Sequence, residues 1–188
     1  MKDTIIIVEG PQGAGKTTFT NYLREKMSST DLYRLSGIKD KGEAGLEKSK
    51  KRYANLLDYM KNSINIDMIF DRTFFSEEIY SRLGYKKYDF TDTYNELLKK
   101  LDSLDYDIYL VLLYLEDVKE YETRIKREKH QYQEFEVKSS INQQNEYLKL
   151  ADEVEENTNN IKVVRFNNSS KQDFEMNVEE QLGQLFGK

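Results

Sequence analysis

The 188-residue sequence contains no cysteine. This excludes a disulfide framework and any cysteine-ligated metal site, and it fits a reducing cytosol. A single histidine, His130, also excludes a histidine-cluster metal site. It lies in a polar segment and is expected to be an exposed residue without a role. Long hydrophobic runs are missing as well. The longest, IYLVLLYL at 108–115, falls far short of the ~20 residues that a spanning helix needs. The N-terminus lacks the pattern of a signal peptide, since acidic and glycine residues follow its four apolar ones. Nor is there an excess of positive charge. The formal net charge is -5, so bulk electrostatics favour neither nucleic acid nor an anionic membrane as partner. The expectation is a cytoplasmic protein forming one domain over 1–188, long enough for a substantial core.

What is present has a regular order. Apolar runs at 4–8, 66–70, 108–115 and 161–166 predict strands, with a weaker candidate at 32–35. Helical spacing fills the intervals: Phe19, Tyr22, Leu23 and Met27; Tyr53, Leu56, Leu57 and Met60; Ile79 and Leu83; Leu97, Leu98, Leu101 and Leu104, with Thr91 or Asp92 as N-cap. Ile141, Tyr147, Leu148 and Ala151 mark a further helix, and Phe174, Val178 and Leu182 the last. Strands alternating with helices predict a three-layer α/β/α fold around a parallel sheet. The run at 108–115 is continuous rather than alternating, as expected of a central strand buried on both sides.

The first strand runs into a glycine-rich loop, TIIIVEGPQGAGKTTFTNYL at 4–23. Gly10, Gly15, Lys16 and Thr17 fit G-x-x-x-x-G-K-[ST], and Gly13 adds a flexible position. Glycines let successive amide N–H groups turn inward around an anion, and the helix that follows adds the positive end of its dipole. Gly10, Pro11, Gln12, Gly13, Ala14, Gly15, Lys16, Thr17 and Thr18 are the expected nucleotide-binding residues. Lys16 would reach the β and γ phosphates, and the Thr17 hydroxyl would ligate Mg²⁺. The donor is thus ATP or GTP, but the acceptor stays open. No guanine-reading N-K-x-D follows a later strand, and LSG at 35–37 lacks the context of a transporter ATPase signature.

A second constellation, IFDRTFFSEEIYSRLGY at 69–85, ends the third strand. Asp71 is expected at the carboxyl edge beside the loop, where a carboxylate can hold magnesium directly or through water. Arg72 would point from the same rim into the crevice, where its fork suits a second phosphate. The plainer alternative is a surface arginine paired with Glu77 or Glu78.

Together, VEGPQGAGKTT and DRTFFSEEIY resemble the thymidylate kinase and deoxynucleoside kinase group. Glu9, Gly10, Gly13, Gly15, Lys16, Thr17 and Thr18 match that group's E-G-x-x-G-x-G-K-[ST]-T loop. Asp71, Arg72 and Ser76 match its D-R-[YFH]-x-x-S motif, with Thr73 in place of the aromatic. YLEDVKEYETRIKREK resembles the passage from strand to lid, which places Arg124, Arg127 and Lys126 over the transferring phosphates. The resemblance implies five parallel strands, ATP with Mg²⁺ as donor, a lid at roughly 117–136 and a homodimer. With Gly13 in the loop and basic residues at 124–129, the chain is similar to the members that keep their assisting arginine in the lid.

A nucleoside hydroxyl must lose a proton and needs a carboxylate base, whereas a monophosphate acceptor needs cations. After the second strand the chain reads LYRLSGIKDKGEAG. Arg34 stands where thymidylate kinases have an arginine, and no carboxylate appears before Asp40. Together with Asp71-Arg72, where nucleoside kinases have Glu-Arg, this points to a nucleoside monophosphate, with dTMP to dTDP as the expected reaction. A deoxynucleoside kinase and a P-loop ATPase or nucleotide-binding regulator are the alternatives. A continuous basic groove from KSKKR at 48–52 would favour the regulator. Three departures bear on the acceptor. Leu35 and Ser36 replace the Glu-Pro that follows the family's arginine, Gln12 replaces the loop's acidic residue, and Lys48 takes the base-stacking position if Arg52 is the family's helical arginine. Gln12, Arg34, Arg52, Arg72, Phe75 and Tyr80 are the candidate acceptor residues, the last two by stacking on the base.

Overall fold

The computed structural model describes residues 1–128 and 134–186. Five strands, β1 (Thr4–Glu9), β2 (Thr30–Arg34), β3 (Asp67–Asp71), β4 (Asp107–Tyr114) and β5 (Ile161–Asn167), form one sheet. All pairings are parallel, in the order β2-β3-β1-β4-β5. Helices α1 (Lys16–Lys26), α2 (Glu43–Asn62), α3 (Phe74–Arg82), α4 (Thr91–Asp102), α5 (Glu120–Glu128), α6 (Glu134–Asn157) and α7 (Phe174–Leu182) complete the described chain. Among them none is long and apolar enough to cross a membrane.

The continuous apolar strands follow from two buried faces. On β1, Ile5 and Ile7 enter a core with α2, α3, α4 and α6, while Ile6 and Val8 enter a second core with α1, α5 and α7. On β4, Ile108, Leu110 and Leu112 divide from Tyr109, Val111 and Leu113 in the same way. Period-two alternation thus persists along these strands, but both sets are apolar because each meets a helical layer. β2 and β5 lie at the sheet edges, and the mixed burial of β2 explains its weaker signal. One cap differs from expectation. Thr91 is already the first residue of α4, its amide bound by Asp89 Oδ1 at 2.9 Å and its hydroxyl donating to buried Glu78 at 3.0 Å.

The order of the strands positions the site. β1 is central, and its carboxyl end opens between β3 and β4, where ligands of open α/β sheets bind.

Candidate active site

The loop after β1 is wrapped by donors from four elements. Lys16 Nζ donates to the carbonyls of Gly10 (2.7 Å) and Pro11 (2.9 Å). Ser140 of α6 donates to Gln12 O at 2.9 Å, Arg124 of α5 to Gly13 O at 3.2 Å, and Asn168 after β5 to Ala14 O at 2.8 Å. With the carbonyls of residues 10–14 engaged, amide donors are left for an anion at the start of α1. No acidic residue occupies the first turn of that helix to oppose one.

Two glycines explain the spacing of the motif. Gly15, the N-cap of α1, has φ 92°, and a Cβ there would lie 2.5 Å from Asn168 Nδ2. Gly13 has φ 86°, and its face is covered by Tyr121 and Ile125 of α5 at 3.3 and 3.5 Å from a notional Cβ. The helix therefore packs directly on the loop.

A small crevice is lined by Gln12, Gly13, Gly15, Lys16, Thr17, Thr18, Asp71 and Arg72, which brings both sequence motifs to one place. Larger cavities lie elsewhere, one of them at the opposite end of the sheet beside Asp3 and Tyr106; none of its lining residues belongs to either motif. Thr17 is exposed at the helix start, and Asp71 is buried at the end of β3. A hydroxyl and a carboxylate are hard oxygen donors of the kind Mg²⁺ takes, and among the described residues no cluster of three or more acidic, histidine or cysteine groups forms a protein-only cage. Two protein oxygens fit an ion that completes its shell with phosphate and water.

The cations are arranged around Asp71. Arg34 Nε lies 3.6 Å from Asp71 Oδ2, and its guanidinium also donates to Asn21 and to Thr20 Oγ1 of α1. Arg72 is a non-glycine residue with φ 73°, and its guanidinium donates to the Tyr80 hydroxyl. It does not pair with Glu77 or Glu78. Those carboxylates are taken by Lys86 at 3.7 Å and Arg82 at 2.8 Å. Arg52 instead braces the loop after β2, donating to Ser36 O with its guanidinium over the Tyr53 ring. The same loop is tied to α3, since Ile38 N–H donates to Glu77 Oε1 at 3.3 Å and Lys86 donates to Ile38 O.

One expected acceptor contact is corrected. Phe75 has no exposed surface; it stacks on Phe74 at 4.5 Å and meets Tyr94 edge-on at 5.8 Å. Its aromatic character serves the core, because its ring lies between Phe74 and Tyr94 of α4 in the hydrophobic cluster under the sheet. Phe75→Ala is expected to cost about 3–5 kcal/mol of stability in denaturant unfolding. Tyr80, in contrast, is partly exposed and tethers Arg72. The basic run at 48–52 does not stand free either, as Lys48 pairs with Asp40 and Lys50 with Glu47.

In the lid passage, Arg124 bridges Gly13 O, Asn168 O (2.6 Å) and Glu120 Oε2 (3.2 Å). Arg127 is exposed on the same helix. Lys129 and His130, within the expected lid at 117–136, lie outside the described residues. Gln144 of α6 ties the end of β4 to the start of α5: it accepts from Leu115 N–H at 2.9 Å, donates to Leu115 O at 3.0 Å and accepts from the Tyr121 hydroxyl.

The expected set of site residues omits Glu9. Fully buried at the end of β1, its carboxylate accepts from Thr73 N–H (2.7 Å), Ser76 Oγ (2.6 Å) and the Tyr147 hydroxyl (3.3 Å). Burial pushes its pKa above the ordinary 4.5, against the opposing effect of Ser76, Thr73, Arg72 and Lys16. A raised folded-state pKa means that the native protein holds the proton more tightly than the unfolded chain. Glu9 therefore supports stability fully below about 4.5 and loses that support as pH rises through its folded value. The melting temperature of Glu9→Gln relative to wild type should accordingly increase with pH above that point. The sequence signal for Glu9 was its match to the loop motif; nothing local marked Tyr147 as its partner.

No protein-family model and no curated protein matches the sequence. Solved structures do match. Thymidylate kinase from Candida albicans aligns with TM-score 0.65 at 15% identity, over 97% of this chain and 92% of that one. The YorR protein from Bacillus subtilis, in complex with phosphorylated GDP, gives 0.65 at 19%, over 94% and 92%. Deoxyadenosine kinase from M. mycoides with bound dCTP gives 0.55 at 18%, over 96% and 98%. At this identity the likeness fixes architecture, and the chain has the α/β fold of P-loop nucleotide kinases.

Proposed function

We propose that the protein transfers the γ-phosphoryl group of ATP to a nucleoside monophosphate, with dTMP as the acceptor that the sequence resemblance favours. The observation that carries this reading is the charge arrangement of the crevice. Lys16 and Arg72 line it, Arg34 stands behind Asp71, and Asp71 is the one carboxylate among its lining residues. Surplus cations suit an acceptor that is already anionic, whereas a nucleoside hydroxyl would need a base free to take its proton. Glu9 and Glu77 are close in the fold, but their oxygens are engaged by Thr73, Ser76 and Tyr147 and by Ile38, Tyr88 and Lys86.

In this reading the loop amides and Lys16 hold the β and γ phosphates, and Arg72 holds the acceptor phosphate in line with them. Thr17 and Asp71 would hold Mg²⁺, which when bound neutralises phosphate charge. Arg124 and Arg127 supply positive charge from the lid. Arg127→Ala should lower kcat by roughly 10³-fold if its guanidinium reaches the transferring group, without changing thermal stability. Arg124→Ala should lower turnover and also raise the KM for ATP, because it braces Gly13. If both variants stay within about twofold of wild type, the lid has no such role.

The function is tested by coupled ADP release across deoxynucleosides and their monophosphates, with Lys16→Ala as the blank. Turnover with monophosphates supports the reading. Turnover with nucleosides alone makes the protein a deoxynucleoside kinase, and acceptor-independent hydrolysis makes it an ATPase or regulator.

A further inference from the structure

Arg72 adopts a left-handed backbone, φ 73°, that a side-chain-bearing residue seldom occupies without outside support. The support comes from β1. The Arg72 N–H donates to Val8 O at 3.1 Å, and the next amide, Thr73 N–H, donates to Glu9 Oε1 at 2.7 Å. Both peptide groups flanking Arg72 are thus fixed by consecutive residues of the strand that carries the phosphate loop. Thr73 is the N-cap of α3 and has no side-chain cap of its own, so Glu9 also anchors the entry to that helix.

The second Glu9 oxygen is held just as firmly. Ser76 and Tyr147 both donate to Oε2, and their hydroxyls lie 3.0 Å apart. Tyr147 is fully buried on α6, the helix that also supports the loop through Ser140 and Leu115, just after β4, through Gln144. The far end of Arg72 is tethered by Tyr80, one turn beyond Ser76 on α3. Glu9 therefore joins three elements around one arginine: β1, which carries the loop, α3 and α6.

We infer that Glu9 is a positioning residue, which locks the Arg72–Thr73 peptide and so holds the Arg72 guanidinium over the acceptor phosphate. It touches no substrate itself. This rests on the role proposed for Arg72, and it concerns the acceptor side alone, since the loop carbonyls are held by other donors.

The test uses the full chain with Glu9→Ala and Glu9→Gln, read by amide hydrogen exchange and by separate KM values for ATP and the monophosphate. In wild type the Thr73 amide should exchange as slowly as the amides of β1. Glu9→Ala should speed it by at least about tenfold and raise the acceptor KM by a similar factor, leaving the ATP KM within about twofold. Glu9→Gln keeps an acceptor for Thr73 N–H and should restore both readings. Should Glu9→Ala fail to fold, Glu9→Asp draws the oxygens back from Thr73 while keeping the charge, and carries the same expectation. A fast-exchanging Thr73 amide in wild type, unchanged kinetics in a folded variant, or equal rises in the two KM values would overturn the assignment. If wild type shows no acceptor-dependent turnover, the functional reading fails, while the exchange measurement still decides whether Glu9 locks this peptide.

Discussion

Lys16→Ala is expected to reduce acceptor-dependent turnover by on the order of 10³-fold, equivalent to about 4 kcal/mol of transition-state stabilisation. The ammonium is held at the mouth of the loop by Gly10 and Pro11 carbonyls, within a largely buried setting that keeps water from screening it. Its three donors let it keep loop contacts while engaging phosphate oxygens. Because the charge sought by the migrating group is delivered there, the loss should appear in kcat. The fold should remain, since the core of this half is built from Phe19, Leu23 and the strand residues rather than from Lys16. Single-turnover kinetics with ATP in excess, alongside a melting curve, separates the two effects.

Arg72→Ala is expected to lower kcat/KM for the acceptor by roughly 10²-fold, about 3 kcal/mol, with ATP binding little changed. Lysine should not restore activity, because a point charge cannot reproduce the planar fork that meets two phosphate oxygens. Arg72→Gly offers a sharper control. Glycine accepts φ 73° without strain, so this variant should fold at least as readily and yet lose acceptor affinity. An Arg72→Gly protein with wild-type acceptor KM would show that Arg72 serves backbone geometry only.

How much of this was legible depended on the range of the interaction concerned. Strands β1, β3 and β4 were clear because burial on both faces makes nearly every residue apolar. β2 was faint because an edge strand keeps residues such as Asp31 in water. The phosphate loop was readable because its chemistry requires glycines and Lys16 at fixed spacing in the chain. Phe75 misled because an aromatic residue beside Asp71-Arg72 reads equally as a stacking surface or as core, and only the orientation of α3 against α4 decides. The Glu9–Tyr147 contact joins residues far apart in sequence, as does the bracing of Gly13 by Arg124. Such contacts leave no periodic trace, so neither could be found before the fold brought the elements together.

The direct test of phosphoryl transfer to a nucleotide is identification of the product. The protein would be incubated with γ-labelled ATP and Mg²⁺, and with dTMP or thymidine as sole acceptor. Label appearing in the nucleoside diphosphate made from dTMP, absent with Lys16→Ala, is the expected result. Label appearing only in a monophosphate made from thymidine, or only in inorganic phosphate, would contradict it.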